Sequence, residues 1–286
     1  MNAKEKRLGT KAQLRAIKNR ERRMATAISL AFILLIVVFS AYFTYTFLNQ
    51  PQNQTTNPTS SSPQLKAAIV DQLSLTIPNQ TFIETATNTL KQANYSVDYH
   101  SGEKVTVEFY RNLPKHGYSI IIFRVHSTTG YSRVDFFTSE PYSKSKYTYE
   151  QLTDRVYPVV YSSEDAEEGI MYFGITQLFV KTDMTGTFSN TTIIMMGCQG
   201  LNNTRMAKAF IEKGAKVYMG WTNSVSASHT DQAITNFLQH LILEKQTIKQ
   251  AVDKTMKEVG PDPAYNSLLI YYPVEAGEQT IENIKR

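Results

Sequence analysis

The sequence predicts an α/β protein, a mostly parallel sheet flanked by helices, behind one N-terminal membrane-spanning helix. Three observations predict it. Residues 24–48 carry no charge and directly succeed a strongly basic stretch. The runs 118–125 (YSIIIFRV), 191–196 (TTIIMM) and 215–221 (AKVYMGW) have the length and β-branched content of buried strands. Segments with helical spacing of apolar residues alternate with them, the pattern of strands covered on both faces.

The chain has 286 residues and 30 Lys+Arg against 25 Asp+Glu. Residues 1–23 hold nine of the basic side chains and two of the acidic ones, so the remainder carries 21 basic and 23 acidic groups. The basic character belongs to a tail, and the body of the protein has no charge signature of a nucleic-acid-binding domain. Hydrophobic residues make up 42%, which excludes a disordered chain and a polytopic membrane protein.

In chain order, 1–23 is a cytoplasmic basic tail. Residues 24–48 form about 36 Å of helix, enough to cross a bilayer core of about 30 Å. Tyr42 and Tyr45 stand near its outer end, where amphipathic rings favour the interface. The run is too long for a cleaved signal peptide and no small-residue cleavage site comes after it, so it reads as a retained signal anchor. The positive-inside rule places residues 49–286 outside the cell. Residues 49–63 (NQPQNQTTNPTSSSP) are an uncharged, flexible linker, and 64–286 form one extracytoplasmic domain. Five Asn-x-Ser/Thr sequons, at Asn53, Asn79, Asn94, Asn190 and Asn202, fit an exported chain.

Within the domain, 66–75 reads as a strand and 79–94 as a helix capped by Asn79, with Ile83, Ala86, Leu90 and Ala93 at helical spacing. A short strand at 96–99 and a helix at 105–113 come next. After the strand at 118–125 stand a strand at 132–138 and an irregular, Tyr-rich stretch at 142–187 that contains an acidic cluster (Glu164, Asp165, Glu167, Glu168). The strand at 191–196 leads into Gly197-Cys198-Gln199-Gly200 and a helix at 204–213 stopped by Gly214. The strand at 215–221, helices at 231–243 and 247–259, and a strand at 267–272 complete it.

Ligand groups in open α/β sheets collect beyond the carboxyl ends of the strands. Two of the central strands end in chemically capable residues, His126 and Cys198. If the strands are neighbours, both side chains enter one crevice. A Cys ahead of a helix N-terminus is placed to act as thiolate, and an imidazole within reach serves as acid/base. Gly197 permits a sharp turn, and the N–H groups around Cys198 and Gln199 are candidates for an oxyanion hole. The bland alternatives are a buried structural Cys and a hydrogen-bonded structural His. His229, in Ser228-His229-Thr230-Asp231, is an alternative base, while His100, His116 and His240 read as surface residues. There is no HExxH, CxxC, GxSxG or phosphate-binding glycine loop, so neither a metal nor a cofactor is expected. Asp154, Glu164–Glu168 and Asp183 read as a solvated acidic surface rather than a calcium site.

A hydrophobic strand ending in His, then one ending in Cys before a helix, resembles the caspase-like cysteine peptidases, most closely their gingipain-like branch. The stretch GCQGLNNTRMAKAFIEKGAKVYMGWTNSV carries the resemblance, which covers roughly 66–273. It implies a three-layer sandwich and an endopeptidase acting on peptide or protein substrates. Cys198 would be the nucleophile and His126 the general acid/base, with Ser127, Gly197 and Gln199 forming the oxyanion turn. Gly220, Trp221, Thr222, Asn223 and Ser224 would line the substrate pocket. The family usually shows His-Gly where this chain has His126-Ser127. A catalytically silent module that binds peptides or proteins is therefore the alternative reading.

Overall fold

In a computed structural model of the protein, residues 65–130 and 133–284 are described, together with Leu35, Val38 and Phe39. The tail, the expected span and the linker lie outside the described residues, except for those three, which are helical and exposed. Among the described residues no helix is long and apolar enough to cross a membrane.

The first strand, β1 (Leu65–Asp71), is shorter than expected, because residues 72–75 close into a single 3-10 turn. Helix α1 (Gln80–Gln92) starts where the sequence places it, with the Asn79 side chain accepting the Phe82 N–H. It packs Phe82, Ile83, Ala86 and Leu90 inward. Next in order are β2 (Tyr95–Ser101), α2 (Val107–Asn112), β3 (Ile120–Arg124), β4 (Ser127–Thr129) and β5 (Val134–Pro141). The Tyr-rich stretch departs from expectation. It forms β6 (Val156–Val159) and β7 (Tyr172–Thr176), with short helices at Thr148–Leu152, Ser163–Glu168 and Gln177–Thr182. Then come β8 (Thr192–Met195), α3 (Arg205–Glu212), β9 (Val217–Trp221), α4 (Ala227–Leu238), α5 (Ile248–Val259) and β10 (Leu269–Tyr272). Helix α4 begins four residues before its expected start and runs into a π-turn at Gln239–Leu243.

The main sheet has strand order β2-β1-β3-β8-β9-β10, all parallel except the edge strand β10. Strand alternation sends Ala67, Ile69, Ile122, Ile194 and Met219 to one face, under α1, α4 and α5. Ala68, Val70, Ile121, Ile193 and Tyr218 go to the other, under α2, α3 and the second sheet. A mixed, mostly parallel sheet is thus covered on both faces.

The second sheet, order β4-β5-β7-β6, is antiparallel. Along β5 the period of two turns Val134 and Phe136 into the core beside Phe173 and Ile175. Asp135 and Phe137 face the opposite side, where they border a cleft at the carboxyl ends of β3 and β8.

Candidate functional site

β3 and β8 are neighbours in parallel register, with Ile120 opposite Thr192 and Phe123 opposite Met195. Met196 N–H continues the ladder onto Phe123 O at 2.9 Å. Three residues past the Phe123–Met195 pair, the same offset brings His126 level with Cys198. Both side chains are half-buried and both line one cleft of about 480 Å³.

The turn after β8 is built for close approach. A Cβ on Gly197 would stand 2.3 Å from Val125 O and 2.5 Å from Ser127 Oγ, so only glycine lets this backbone pass β3. Ser127 Oγ–H donates to Cys198 O at 2.5 Å. Cys198 Sγ lies 3.5 Å from the Val225 N–H nitrogen and 3.6 Å from Val225 O. A thiol can therefore donate to the carbonyl, and a thiolate can accept from the N–H. The backbone N–H of Cys198 has no acceptor among the described residues. That of Gln199 is committed to Asn223 O at 2.8 Å, and Gln199 takes φ +56°. The Gln199 side-chain oxygen accepts Thr129 N–H at 2.9 Å, tying this turn to β4. Gln199 thus shapes the turn and has no free backbone N–H to offer an oxyanion.

His126 is held on several sides. Its N–H donates to Gln72 Oε1 at 2.9 Å and its carbonyl accepts Phe137 N–H at 3.0 Å. The ring stacks on Tyr161, with centroids 5.3 Å apart and planes at 23°. Its Nε2 stands 3.4 Å from Thr76 Oγ1, and no hydrogen bond joins it to Cys198. Burial, reinforced by the nearby Arg124 cation, holds the imidazole below its ordinary value of 6.5, against a smaller pull from Asp165. Neutral imidazole is the form that can take a proton.

Arg124, two residues before His126, is fully buried. Its guanidinium bonds Asp231 through Nε (2.8 Å) and Nη2 (2.9 Å), Asp71 through Nη1 (2.9 Å) and the Ile77 carbonyl through Nη2 (2.8 Å). Asn79 Nδ2 adds a bond to Asp231 at 2.8 Å. Asp231 therefore serves as a buried partner of the Arg124 guanidinium. Burial raises the Asp71 carboxyl above its ordinary value, and Arg124 and Tyr99 oppose that rise.

Of the segment expected to form a pocket, Ser224 lines the cleft. Gly220 and Trp221 are buried in β9, with Trp221 Nε1 donating to Thr230 Oγ1 at 2.9 Å. Thr222 pairs with Leu268, and Asn223 with Ser267 and Tyr265. His229 is buried against Trp221, outside the cleft lining, and its Nε2 has no partner among the described residues. His116 is exposed and His100 half-buried, bonded to Tyr118. His240 is not a surface residue: it is buried between Glu244 and Glu258, at 3.1 and 2.8 Å, where the π-turn meets α5. Asp183 takes its partners from Arg111 and Arg155, and Asp154 accepts the Tyr157 hydroxyl.

Sequence reasoning missed Arg133, Asp135, Phe137 and Tyr161, which also line the cleft. Asp135 and Phe137 lie on β5, Arg133 just before it and Tyr161 just after β6, and no motif flags them. A scan against family models and a search of curated proteins found no match to this chain.

Proposed function

We propose that the protein is a membrane-anchored, extracytoplasmic cysteine endopeptidase of the caspase-like type, with residues 24–48 as its anchor and a peptide or protein as its substrate. The observation that carries this reading is the register of β3 and β8, which brings His126 level with Cys198 at the rim of one cleft. The covered, mostly parallel sheet supports it as well.

In this reading Cys198 Sγ, its proton passed to neutral His126, attacks the scissile carbonyl carbon. The oxyanion that forms meets the free N–H of Cys198. A second donor is the N–H of Ser127. The two-residue repeat of β4 turns it to the same side as the Thr129 N–H, which reaches Gln199. His126 then protonates the leaving amine as the C–N bond breaks, leaving a thioester on Cys198. Water, deprotonated by His126, hydrolyses that ester and restores the thiol. The closing of the His126–Cys198 contact belongs to the substrate complex, where such bonds tighten.

The test is cleavage of a mixed fluorogenic peptide library by the full-length protein. The wild type is expected to release product, and Cys198→Ala and His126→Ala to be silent; activity that survives Cys198→Ala refutes the reading.

A second reading is a silent peptide-binding module on the same fold. It is favoured by the absence of a His126–Cys198 hydrogen bond and by Ser127 in place of the expected glycine. That module would bind peptides in the cleft without cleaving them, and Cys198→Ala would leave the binding intact.

A further inference from the structure

The lining of the cleft holds a cation fixed in an unusual way. Arg133 Nε points inward to Asp135, 3.1 and 2.8 Å from its two carboxylate oxygens. The guanidinium carbon lies 3.7 Å from the centroid of the Tyr157 ring, and the side chain runs close to Gly130. Asp135 is fully buried, and burial lifts its carboxyl above the ordinary value while Arg133 pulls it down. The partner that fixes Arg133 is therefore itself immobile.

Held through Nε alone, the guanidinium keeps both terminal nitrogens without a partner among the described residues. Those two nitrogens form the planar edge that matches a carboxylate with two parallel hydrogen bonds. An arginine already stacked and ion-paired loses little side-chain freedom when it takes a second anion. A basic ligand fits less well, because it would have to displace Arg133 from a carboxylate with no exposed surface.

We infer that Arg133 forms a carboxylate-recognising subsite of the cleft, so that the peptide bound beside His126 and Cys198 carries an acidic group against the second sheet. This places selectivity on β5, apart from the 220–224 segment that the family resemblance assigns. It rests on the reading of the cleft as a peptide site. The carboxylate can come from an Asp or Glu side chain or from a peptide C-terminus, which offer the same two oxygens.

The test uses full-length Cys198→Ala protein, which binds without turnover, and fluorescence anisotropy of dye-labelled, N-acetylated hexapeptide pools. Two amidated pools differ in carrying Asp/Glu or Asn/Gln at one randomised position; a third carries Lys/Arg there, and a fourth is the Asn/Gln pool with a free C-terminus. The Asp/Glu pool is expected to bind at least tenfold tighter than the Asn/Gln pool. Arg133→Gln in the same background is expected to erase that difference. Arg133→Lys, which keeps the charge without the fork, is expected to recover only part of the preference. If the free-acid pool binds as tightly as the Asp/Glu pool, the subsite accepts a peptide terminus as well as an acidic side chain; if it binds no better than the amidated Asn/Gln pool, the carboxylate recognised is the side chain's. Equal affinities, no binding of any pool, a tighter Lys/Arg pool, or a preference that survives Arg133→Gln overturns the inference. Alkylation of Cys198 in the wild type separates this outcome from the peptidase reading. Lost charge preference with His126-dependent alkylation intact refutes the subsite alone. Retained preference with alkylation indifferent to His126 refutes the enzyme alone.

Discussion

Replacing Arg124 by Met tests the floor of the site. The methionine fills similar volume but removes four hydrogen bonds and leaves Asp71 and Asp231 buried without a counter-ion. Breaking a buried ion pair from one side costs about 3–5 kcal/mol, a large share of a typical domain stability of about 5–15 kcal/mol. The cost depends on pH with a definite sign. Asp71 already sits above its ordinary 3.8 in the folded state, and loss of the cation raises it further. A carboxyl with a raised folded value binds its proton more tightly folded than unfolded, so stability falls as pH rises from 3.8 through that folded value. The penalty of Arg124→Met is therefore largest at pH 7.5 and smaller at pH 5. Release of His126 from the Arg124 field acts in the same direction, since the variant loses less stability on imidazole protonation. Urea unfolding of the full-length protein, tracked by the fluorescence of the single, buried Trp221, reads both numbers. A penalty below about 1 kcal/mol at pH 7.5, or one equal at both pH values, refutes the view of a buried charge network.

Three further outcomes rest on the same geometry. Gly197→Ala places a methyl group 2.3 Å from Val125 O, so the Cys198 turn must shift; urea unfolding is expected to show a loss of about 1–3 kcal/mol together with slower Cys198 alkylation. Because the folded imidazole of His126 lies below 6.5, stability falls as pH drops through 6.5 toward the folded value. His126→Gln should flatten that slope by up to about 1.4 kcal/mol per pH unit in unfolding titrations. Thr230→Val strands the Trp221 Nε1–H in the core and is expected to cost about 1–3 kcal/mol, where an isosteric loss under about 0.5 kcal/mol would contradict it.

The main sheet was legible because its strands are buried on both faces and read as unbroken apolar runs; β3, β8 and β9 needed only length and β-branching to stand out. His126 and Cys198 were found for the same reason, as polar residues ending such runs. The second sheet was legible only at β5, which the sequence places at 132–138. Its strands β6 and β7 have four and five residues, and Tyr157, Pro158 and Tyr172 interrupt any clean alternation, so the stretch read as a loop. Arg133 and Asp135 lie in or beside the strand that was expected, but without its partner strands nothing in the sequence marked them as cleft residues. Arg124 did leave a signal, since a charged residue within YSIIIFRV needs buried carboxylates, but its partners lie 53 and 107 residues away. His240 was misplaced because its neighbours in sequence are mixed; it is the π-turn and Glu258 from α5 that enclose it. Asn79, one of the sequon asparagines, caps α1 as its sequence context suggests, but its second bond, to Asp231, spans 152 residues and leaves no local signal.

The central claim, that His126 and Cys198 act on each other, is tested most directly by the rate of Cys198 carbamidomethylation. The full-length wild type and His126→Ala would be compared across pH 5 to 9. The wild type is expected to react at least tenfold faster at neutral pH, with an inflection below pH 6.5 that tracks the lowered imidazole and vanishes in His126→Ala. Identical profiles in the two proteins would contradict it.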